Sequence, residues 1–321
     1  MAKRHRLLVS GASGFVGRHL IEAASAHPEA KDLDVRMLSD ENGVATDVRD
    51  AEAVTRAIRQ FSPTAIVHLA AVASPREAST EPRAAWEVNL LGTFNLAHAT
   101  MRHAPEALFV FAGSSEVYGQ TFARSGGRPV AEGSVLEPIS TYGATKAAAD
   151  LMLGQMSLRG LRSIRFRPFN HTGSGQAAGF VVPAFARQIV RVERGWQDPL
   201  VRVGSLAVKR DFLDVRDLVR AYLSAALDAG EVSGPCNLAT GRPVAVADIL
   251  EGLCSLCPRA LEVVTDPARV RLGEIATMSG DPRRAKAMLG WKAEIPLETT
   301  LRDVLEYWRR LADSTPHLLL D

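Results

Sequence analysis

The sequence predicts an α/β protein in which a doubly wound parallel sheet carries helices on both faces and is followed by a smaller C-terminal α/β lobe. Three observations lead to this prediction. Short apolar runs alternate with helical stretches over residues 1–170, a glycine-rich turn follows the first run, and the elements become shorter beyond about residue 170. Strands separated by helices in regular order pair in parallel and are covered on both faces. We therefore expect one domain over residues 1–170 and a second over residues 171–321, with some segments of the second returning to the first sheet.

The elements follow from the alternation of short apolar runs with longer amphipathic stretches. The strands expected in the first domain cover residues 7–10, 35–38, 65–69, 107–111 and 163–166. Its expected helices cover residues 18–26, 51–60, 82–102 and 141–158. In the second domain we expect helices over residues 180–194, 215–227, 282–289 and 297–311, and strands over residues 200–203 and 261–264.

Composition excludes several classes of protein. The 38 basic and 36 acidic residues leave a net charge of +2, so no strong field selects nucleic acid or an anionic membrane surface. No stretch reaches the roughly 18 apolar residues of a membrane helix. Three cysteines cannot form a disulfide framework, and Cys254-x-x-Cys257 has no nearby histidine at ligand spacing. We expect a soluble cytoplasmic protein with no metal site and with neither a nucleic acid nor a membrane as partner.

The turn Gly11-x-x-Gly14-x-x-Gly17 has the spacing of a dinucleotide-binding loop in a Rossmann-type sheet. The first glycine permits a tight turn, the second allows backbone to approach a pyrophosphate, and the third lets the helix pack close to the strand. The helix N-terminus then offers free N–H groups to the phosphates. The residues predicted to contact the cofactor here are Gly11, Ser13, Gly14, Phe15, Val16 and Gly17.

The ends of the second and third strands supply further candidate cofactor contacts. Asp40 lies where an acidic residue would meet the adenosine ribose, and its charge would repel a 2′-phosphate, which favours NAD over NADP. Alternatively, Asp40 makes an ordinary turn with Asn42 and Gly43. The other residues predicted to line the cofactor are Asp47, Val48, Leu69, Ala70 and Ala71.

Tyr142 and Lys146 are the candidate catalytic pair, because a spacing of four places both side chains on one face of a helix. A phenol with an ordinary pKa of about 10 is a poor acid or base at neutral pH, and a neighbouring ammonium would lower that pKa. Lys146 could also donate hydrogen bonds to the nicotinamide ribose. Ser114, just after the fourth strand, could bind a substrate carbonyl beside the phenol, or could simply cap a turn.

The glycine turn, the set of Ser114, Tyr142 and Lys146, and the segment Arg167-Pro-Phe-Asn170 together resemble the extended short-chain dehydrogenase/reductases over nearly the whole chain. Segments 167–176, 180–188, 203–212 and 214–217 are similar to GDP-4-keto-6-deoxymannose reductases and to GDP-mannose 4,6-dehydratases. The resemblance implies NAD or NADP in a Rossmann domain, a nucleotide sugar, GDP-linked, in the C-terminal lobe, and a homodimer formed by the helices near residues 82–102 and 141–158. The substrate contacts that it implies are Asn170, Val181, Arg210, Arg271 and Glu274.

Several activities remain open within this resemblance. A reductase needs a hydride donor and a proton from Tyr142, whereas a 4,6-dehydratase also needs a carboxylate base. Glu116 stands where the dehydratases carry theirs, so it is a fourth candidate catalytic residue. The glycine turn and Ser114 favour the reductase that forms GDP-rhamnose. The alternatives are a GDP-mannose 4,6-dehydratase, a nucleotide-sugar 4-epimerase and a dinucleotide-binding regulator without catalysis.

Overall fold

Six parallel strands form the central sheet in a computed structural model that describes residues 5–40, 42–227, 232–270 and 273–320. The strands are β1 (His5–Ser10), β2 (Leu33–Met37), β3 (Ala65–His68), β4 (Leu108–Ala112), β5 (Ser163–Pro168), β6 (Asn170–Thr172), β7 (Leu200–Val203), β8 (Lys209–Arg210), β9 (Phe212–Asp214), β10 (Gly234–Leu238), β11 (Val244–Ala245), β12 (Glu262–Thr265) and β13 (Thr277–Met278). The central sheet has the order β2-β1-β3-β4-β5-β10. This is the predicted α/β fold of Rossmann type.

Helices cover both faces of the sheet. They are α1 (Phe15–Ser25), α2 (Ala51–Phe61), α3 (Pro75–Thr80), α4 (Pro82–Trp86), α5 (Thr93–His103), α6 (Gln120–Arg124), α7 (Thr141–Ser157), α8 (Val181–Glu193), α9 (Val215–Leu227), α10 (Val246–Cys254), α11 (Arg283–Leu289), α12 (Leu297–Ser314) and α13 (His317–Leu320). Strand residues alternate between the faces: Leu7 and Val9 pack against α1, α9 and α11, while Leu8 packs against α2, α5 and α7.

The five strands predicted for the first domain are all present, with small differences at their ends. Helix α1 begins at Phe15, three residues earlier than predicted, so the second half of the glycine turn is already helical. The predicted helix 82–102 is interrupted by a π-helical segment, Glu87–Gly92. Strand β10, which the sequence analysis missed, pairs with β5 and brings part of the second half of the chain into the central sheet. The division at residue 170 stays a prediction.

The remaining strands form three small sheets, in the orders β11-β8-β13, β12-β7 and β6-β9. Helices α8, α10 and α12 share an apolar core with β7, to which Ile189, Leu253 and Trp308 contribute. Helix α10 and the short strands β8, β9, β11 and β13 were not predicted. Within the part of the chain that the structure describes, no helix is long and apolar enough to cross a membrane.

Candidate active site

The glycine turn packs against the end of β3 closely enough to exclude any side chain. Gly11 has a φ of +69°, and a Cβ there would lie 2.6 Å from the backbone nitrogen of Ala70. A Cβ at Gly17 would lie 2.4 Å from the Gly11 carbonyl oxygen. Gly14 precedes α1 without a side-chain cap, so the first N–H groups of the helix remain available to an anion. Such a cradle fits the pyrophosphate of a dinucleotide, with Leu69 and Ala70 beside it.

The first turn of α1 also contacts the loop that follows β6. The ring of Phe15 is parallel to that of His171, with 6.3 Å between centroids. Arg18 donates hydrogen bonds to the carbonyl oxygens of Ser13 (2.8 Å) and Gly175 (3.1 Å). The His19 Nε2 lies 2.8 Å from the Ser174 carbonyl oxygen. The predicted cofactor turn and the loop after Asn170 therefore form one continuous structure.

The acidic candidates of the cofactor site have local partners. Asp40 is exposed, and its Oδ1 accepts hydrogen bonds from the backbone N–H groups of Asn42 and Val44, both at 2.9 Å. Asp40 therefore makes the local turn that the sequence analysis gave as the alternative to ribose binding. Asp47 is paired with Arg49 at 2.6 Å, and this hydrogen-bonded pair lowers the pKa of Asp47. Val48 is buried, so only its backbone could meet a cofactor. Their roles in cofactor binding stay predictions.

A buried chain of hydrogen bonds runs from Thr93 through His68 to Ser10, the residue that precedes the glycine turn. The hydroxyl of Thr93 donates to the Asn89 carbonyl, so it accepts from the Nε2 of His68 at 2.8 Å. The Nδ1 of His68 then accepts from the Ser10 hydroxyl at 2.7 Å. Burial, aided by the charge of Lys146, lowers the pKa of His68 to about 3, so the ring is neutral. Sequence reasoning missed this residue, although a histidine inside an apolar strand was a visible signal.

Asn89, in the π-helical segment, connects the loop after β3 with helix α7. Its side chain exchanges two hydrogen bonds with the backbone of Val72, at 2.8 and 3.2 Å, and donates to the Thr145 hydroxyl at 3.0 Å. Thr145 in turn donates to the Tyr142 carbonyl at 2.8 Å. Single π-helical turns occur often at functional sites. The sequence analysis predicted a regular helix here and so missed Asn89.

Ser114, Tyr142 and Glu116 come together where β4 meets the start of α7. The Ser114 hydroxyl accepts from the Glu116 backbone at 3.1 Å, which is the predicted capping alternative, and it also hydrogen-bonds the Tyr142 phenol. Burial raises the pKa of Tyr142 to about 12; the Ser114 hydrogen bond opposes this rise, and the negative charge of Glu116 adds to it. The phenol is therefore protonated at neutral pH.

In this structure the ammonium of Lys146 contacts strand β4, and its role toward the phenol stays a prediction. Its ammonium donates to the Ala112 carbonyl at 2.9 Å and lies 5.1 Å from the centre of the Phe111 ring. Burial lowers the pKa of Lys146 to about 8. In this structure the pKa of Tyr142 is raised, not lowered as predicted, because removal of the phenolate from water outweighs the stabilisation that neighbouring groups provide.

Helix α7 is held by a buried ion-pair network about one turn beyond Lys146. Asp150 accepts from the Nε of Arg165 at 3.0 Å and from the Nε of Arg167 at 2.8 Å, both on β5. Arg167 also donates to the Tyr118 hydroxyl at 2.9 Å. Since a buried charge without its partner is costly, this network fixes the face that α7 presents to the sheet.

The candidate substrate residues lie in the second half of the chain. Asn170 begins β6 beside β9, and Val181 is the first residue of α8. Arg210 is half-buried, and its Nη1 donates to the carbonyls of Lys209 and Ile275, both at 2.9 Å. Glu274, next to Ile275, is half-buried. Arg271 lies outside the described residues.

Comparison with known proteins gives a consistent result. The model of the NAD dependent epimerase/dehydratase family matches residues 7–239. The GDP-6-deoxy-D-mannose reductase of Pseudomonas aeruginosa is 35% identical over 305 residues, which cover 94% of this chain and 97% of that protein. The structure of RMD from Pseudomonas aeruginosa complexed with NADPH superimposes with a TM-score of 0.85 at 31% identity, over 95% of this chain and 99% of that one. The UDP-glucose 4-epimerase of Thermus thermophilus in complex with NAD has a TM-score of 0.77 at 26% identity, with 95% and 99% covered.

Proposed function

Because this chain belongs to the NAD dependent epimerase/dehydratase family, whose relatives here are NAD(P)-dependent enzymes of nucleotide sugars, we propose that it reduces GDP-4-keto-6-deoxymannose to GDP-rhamnose. The observation that carries the proposal is the protonated Tyr142 phenol beside Ser114, in a chain that is 35% identical to a GDP-6-deoxy-D-mannose reductase. A ketone that accepts a hydride must also receive a proton, and a protonated phenol can donate one.

NAD or NADP would be held by the glycine turn and by the first N–H groups of α1, with Leu69, Ala70 and Ala71 along its other side. When bound, the nicotinamide supplies the hydride for the ketone. Asp40 carries a negative charge after β2, so we propose a preference for NAD over NADP, even though the similar structure from Pseudomonas aeruginosa holds NADPH.

Proton transfer is the task of Tyr142. Its phenol donates to the C4 oxygen of the sugar as that oxygen gains negative charge, while the Ser114 hydroxyl binds the same oxygen. Lys146, whose pKa is about 8, keeps most of its positive charge at neutral pH and stabilises the phenolate that remains. Asn170 and Arg210 would bind the diphosphate, because amide and guanidinium groups suit phosphate oxygens.

A second candidate activity rests on Glu116. Its negative charge contributes to the raised pKa of Tyr142, and its backbone N–H donates to the Ser114 hydroxyl at 3.1 Å. A GDP-mannose 4,6-dehydratase would use such a carboxylate to remove the C5 proton of the sugar. A regulator without catalysis fits less well, since it has no need of a proton donor beside Ser114, and a 4-epimerase has no need of a separate carboxylate base.

We also propose a cytoplasmic homodimer. The three cysteines are free thiols, which suits a reducing compartment. Leu91, between α4 and α5, and Leu151, on α7, are 54% and 64% exposed, and Phe94, on α5, is also exposed. A second copy would bury these apolar side chains. Sedimentation that finds only monomer at micromolar concentration would exclude the dimer.

The test of the activity follows nicotinamide absorbance while the enzyme acts on GDP-4-keto-6-deoxymannose. A reductase oxidises NADH or NADPH in stoichiometric amount with the sugar consumed. A dehydratase recycles its own cofactor and consumes GDP-mannose without net oxidation. If neither sugar is consumed although NADH binds, the regulator becomes the better description and the proposed activity is wrong.

A further inference from the structure

One buried arginine contacts both halves of the candidate active site. Arg167, on β5, is 4% exposed. Its Nε and Nη2 donate to the two carboxylate oxygens of Asp150, at 2.8 and 3.2 Å. Its Nη1 donates to the Tyr118 hydroxyl at 2.9 Å and to the Glu132 carbonyl at 3.0 Å. Because a guanidinium presents its donors in a rigid planar fork, these bonds hold Asp150 and Tyr118 at a fixed separation.

The turn that carries Ser114 is attached to β5 at both of its ends. At the start of the turn, the backbone nitrogen of Gly113 donates to the Phe166 carbonyl at 2.8 Å. At the end of the turn, the Tyr118 side chain is fully buried, and its ring centre lies 5.2 Å from the guanidinium carbon of Arg167. The hydrogen bond to the hydroxyl and this cation–π contact therefore fix the end of the turn against the strand.

Helix α7 is attached to the same arginine by the face that carries Tyr142. Tyr142, Lys146 and Asp150 follow one another at intervals of four residues, so neighbouring side chains in this series lie on the same side of the helix. The arginine binds the series at Asp150. The first turn of α7 packs directly on the turn after β4, because a Cβ at Gly143 would lie 2.7 Å from the Glu116 carbonyl oxygen. A change at the arginine therefore reaches both sides of this contact.

We propose, resting on the proposed function, that Arg167 is a positioning residue that sets how the Ser114 hydroxyl approaches the Tyr142 phenol during reduction. Arg167 acts on these two groups through the turn and the helix that carry them. A misplacement of about 1 Å at reacting groups can cost about 10²-fold in rate, so the loss of this link has an effect that turnover can detect. A lysine at this position would keep the positive charge near Asp150 but could not contact Asp150 and Tyr118 with one planar fork.

Nuclear magnetic resonance of the whole protein, with tyrosine labelled by carbon-13 at Cζ, tests the positioning directly. The chain has 4 tyrosines, and Tyr142→Phe identifies the signal of the phenol. Ser114→Ala gives the position of that signal without the hydrogen bond from the serine. We expect Arg167→Lys to move the signal toward the Ser114→Ala position. The matched control is Arg165→Lys, because Arg165 also lies on β5 and donates to Asp150, at 3.0 Å, whereas its hydrogen bonds within the described ranges do not reach the turn. The control should keep the wild-type signal.

Turnover of GDP-4-keto-6-deoxymannose gives a second readout. Tyr118→Phe removes only the hydroxyl that Arg167 binds, so it serves as a milder variant, and NADH binding reports that each variant is folded. We expect kcat to fall about tenfold or more in Arg167→Lys and in Tyr118→Phe, while KM and the affinity for NADH stay within about twofold of the wild type. When Ser114→Ala is already present, either substitution should lower kcat by less than about a further twofold, because the hydroxyl whose placement it disturbs is gone.

Three results would overturn the inference. The phenol signal could keep its wild-type position in both Arg167→Lys and Tyr118→Phe. The signal could move equally in Arg165→Lys, which would mean that the charge balance at Asp150 matters and the link to the turn does not. Arg167→Lys could lower kcat as much with Ser114→Ala as without it, which would make the network a support of the fold alone. The resonance measurement needs no substrate, so a protein that reduces no keto sugar loses the proposed function, while the positioning is decided by the phenol signal.

Discussion

Acidification should destabilise the protein through His68. The folded state keeps this histidine neutral with a pKa of about 3, whereas the ordinary value is 6.5. Below pH 6.5 the unfolded chain therefore binds a proton that the folded chain does not, and stability falls as the pH falls. At pH 5, about 1.5 units below the ordinary value, the loss amounts to about 2 kcal/mol. The loss continues until the pH approaches about 3.

Urea unfolding at pH 7 and pH 5 measures this loss for the wild type and for His68→Asn. The variant lacks the titrating ring, so its free energy of unfolding should change by about 2 kcal/mol less between the two pH values, even if it is less stable at both. His98→Asn, at an exposed position on α5, is the control and should retain the wild-type pH dependence. An identical pH dependence in wild type and His68→Asn would refute the argument, because the acid sensitivity would then originate elsewhere, for example at the half-buried His171, whose pKa is also lowered by desolvation.

The remaining predictions concern the site. Tyr142→Phe should bind NADH normally and lose about 10²- to 10⁴-fold in turnover, because only the proton donor is removed; full activity in steady-state assays would contradict the mechanism. Gly11→Ala should weaken NADH binding by about tenfold or more in fluorescence titration, since its Cβ would lie 2.6 Å from the Ala70 nitrogen. The control is Gly179→Ala, which should bind NADH normally because there is open space around Gly179. Asp40→Ala should raise the ratio of kcat/KM for NADPH over kcat/KM for NADH by about fivefold, because a negative charge near the 2′-phosphate is removed. An unchanged ratio would show that Asp40 only stabilises its turn and does not select the cofactor.

The sequence predicted the elements whose signal is local. Alternating apolar runs located β1 to β5, and the glycine spacing located the turn that Gly11 and Gly17 form against β3. Strand β10 was missed because the sequence Gly234-Pro-Cys-Asn-Leu238 has little strand pattern of its own, and its place is set by pairing with β5. In the same way, the interruption at Glu87–Gly92 depends on the bonds that Asn89 makes with distant backbone.

The sequence supplied candidate residues for the site but not their electrostatics. Spacing alone placed Tyr142 and Lys146 on one helical face, and the structure brings Ser114 to the phenol. The direction of the phenol's pKa could not be read from spacing, because it depends on how deeply the site is buried. Burial also lowers the pKa of Lys146 to about 8, a shift that spacing alone does not reveal.

The most direct measurement follows a hydride from NADH or NADPH, deuterated at the transferable position of the nicotinamide, into GDP-4-keto-6-deoxymannose. If Tyr142, Ser114 and Lys146 form a reducing site, nuclear magnetic resonance of the product will find deuterium on C4 of the hexose, in proportion to the nicotinamide oxidised. A nicotinamide that keeps its label, or a product without deuterium at C4, would contradict the account.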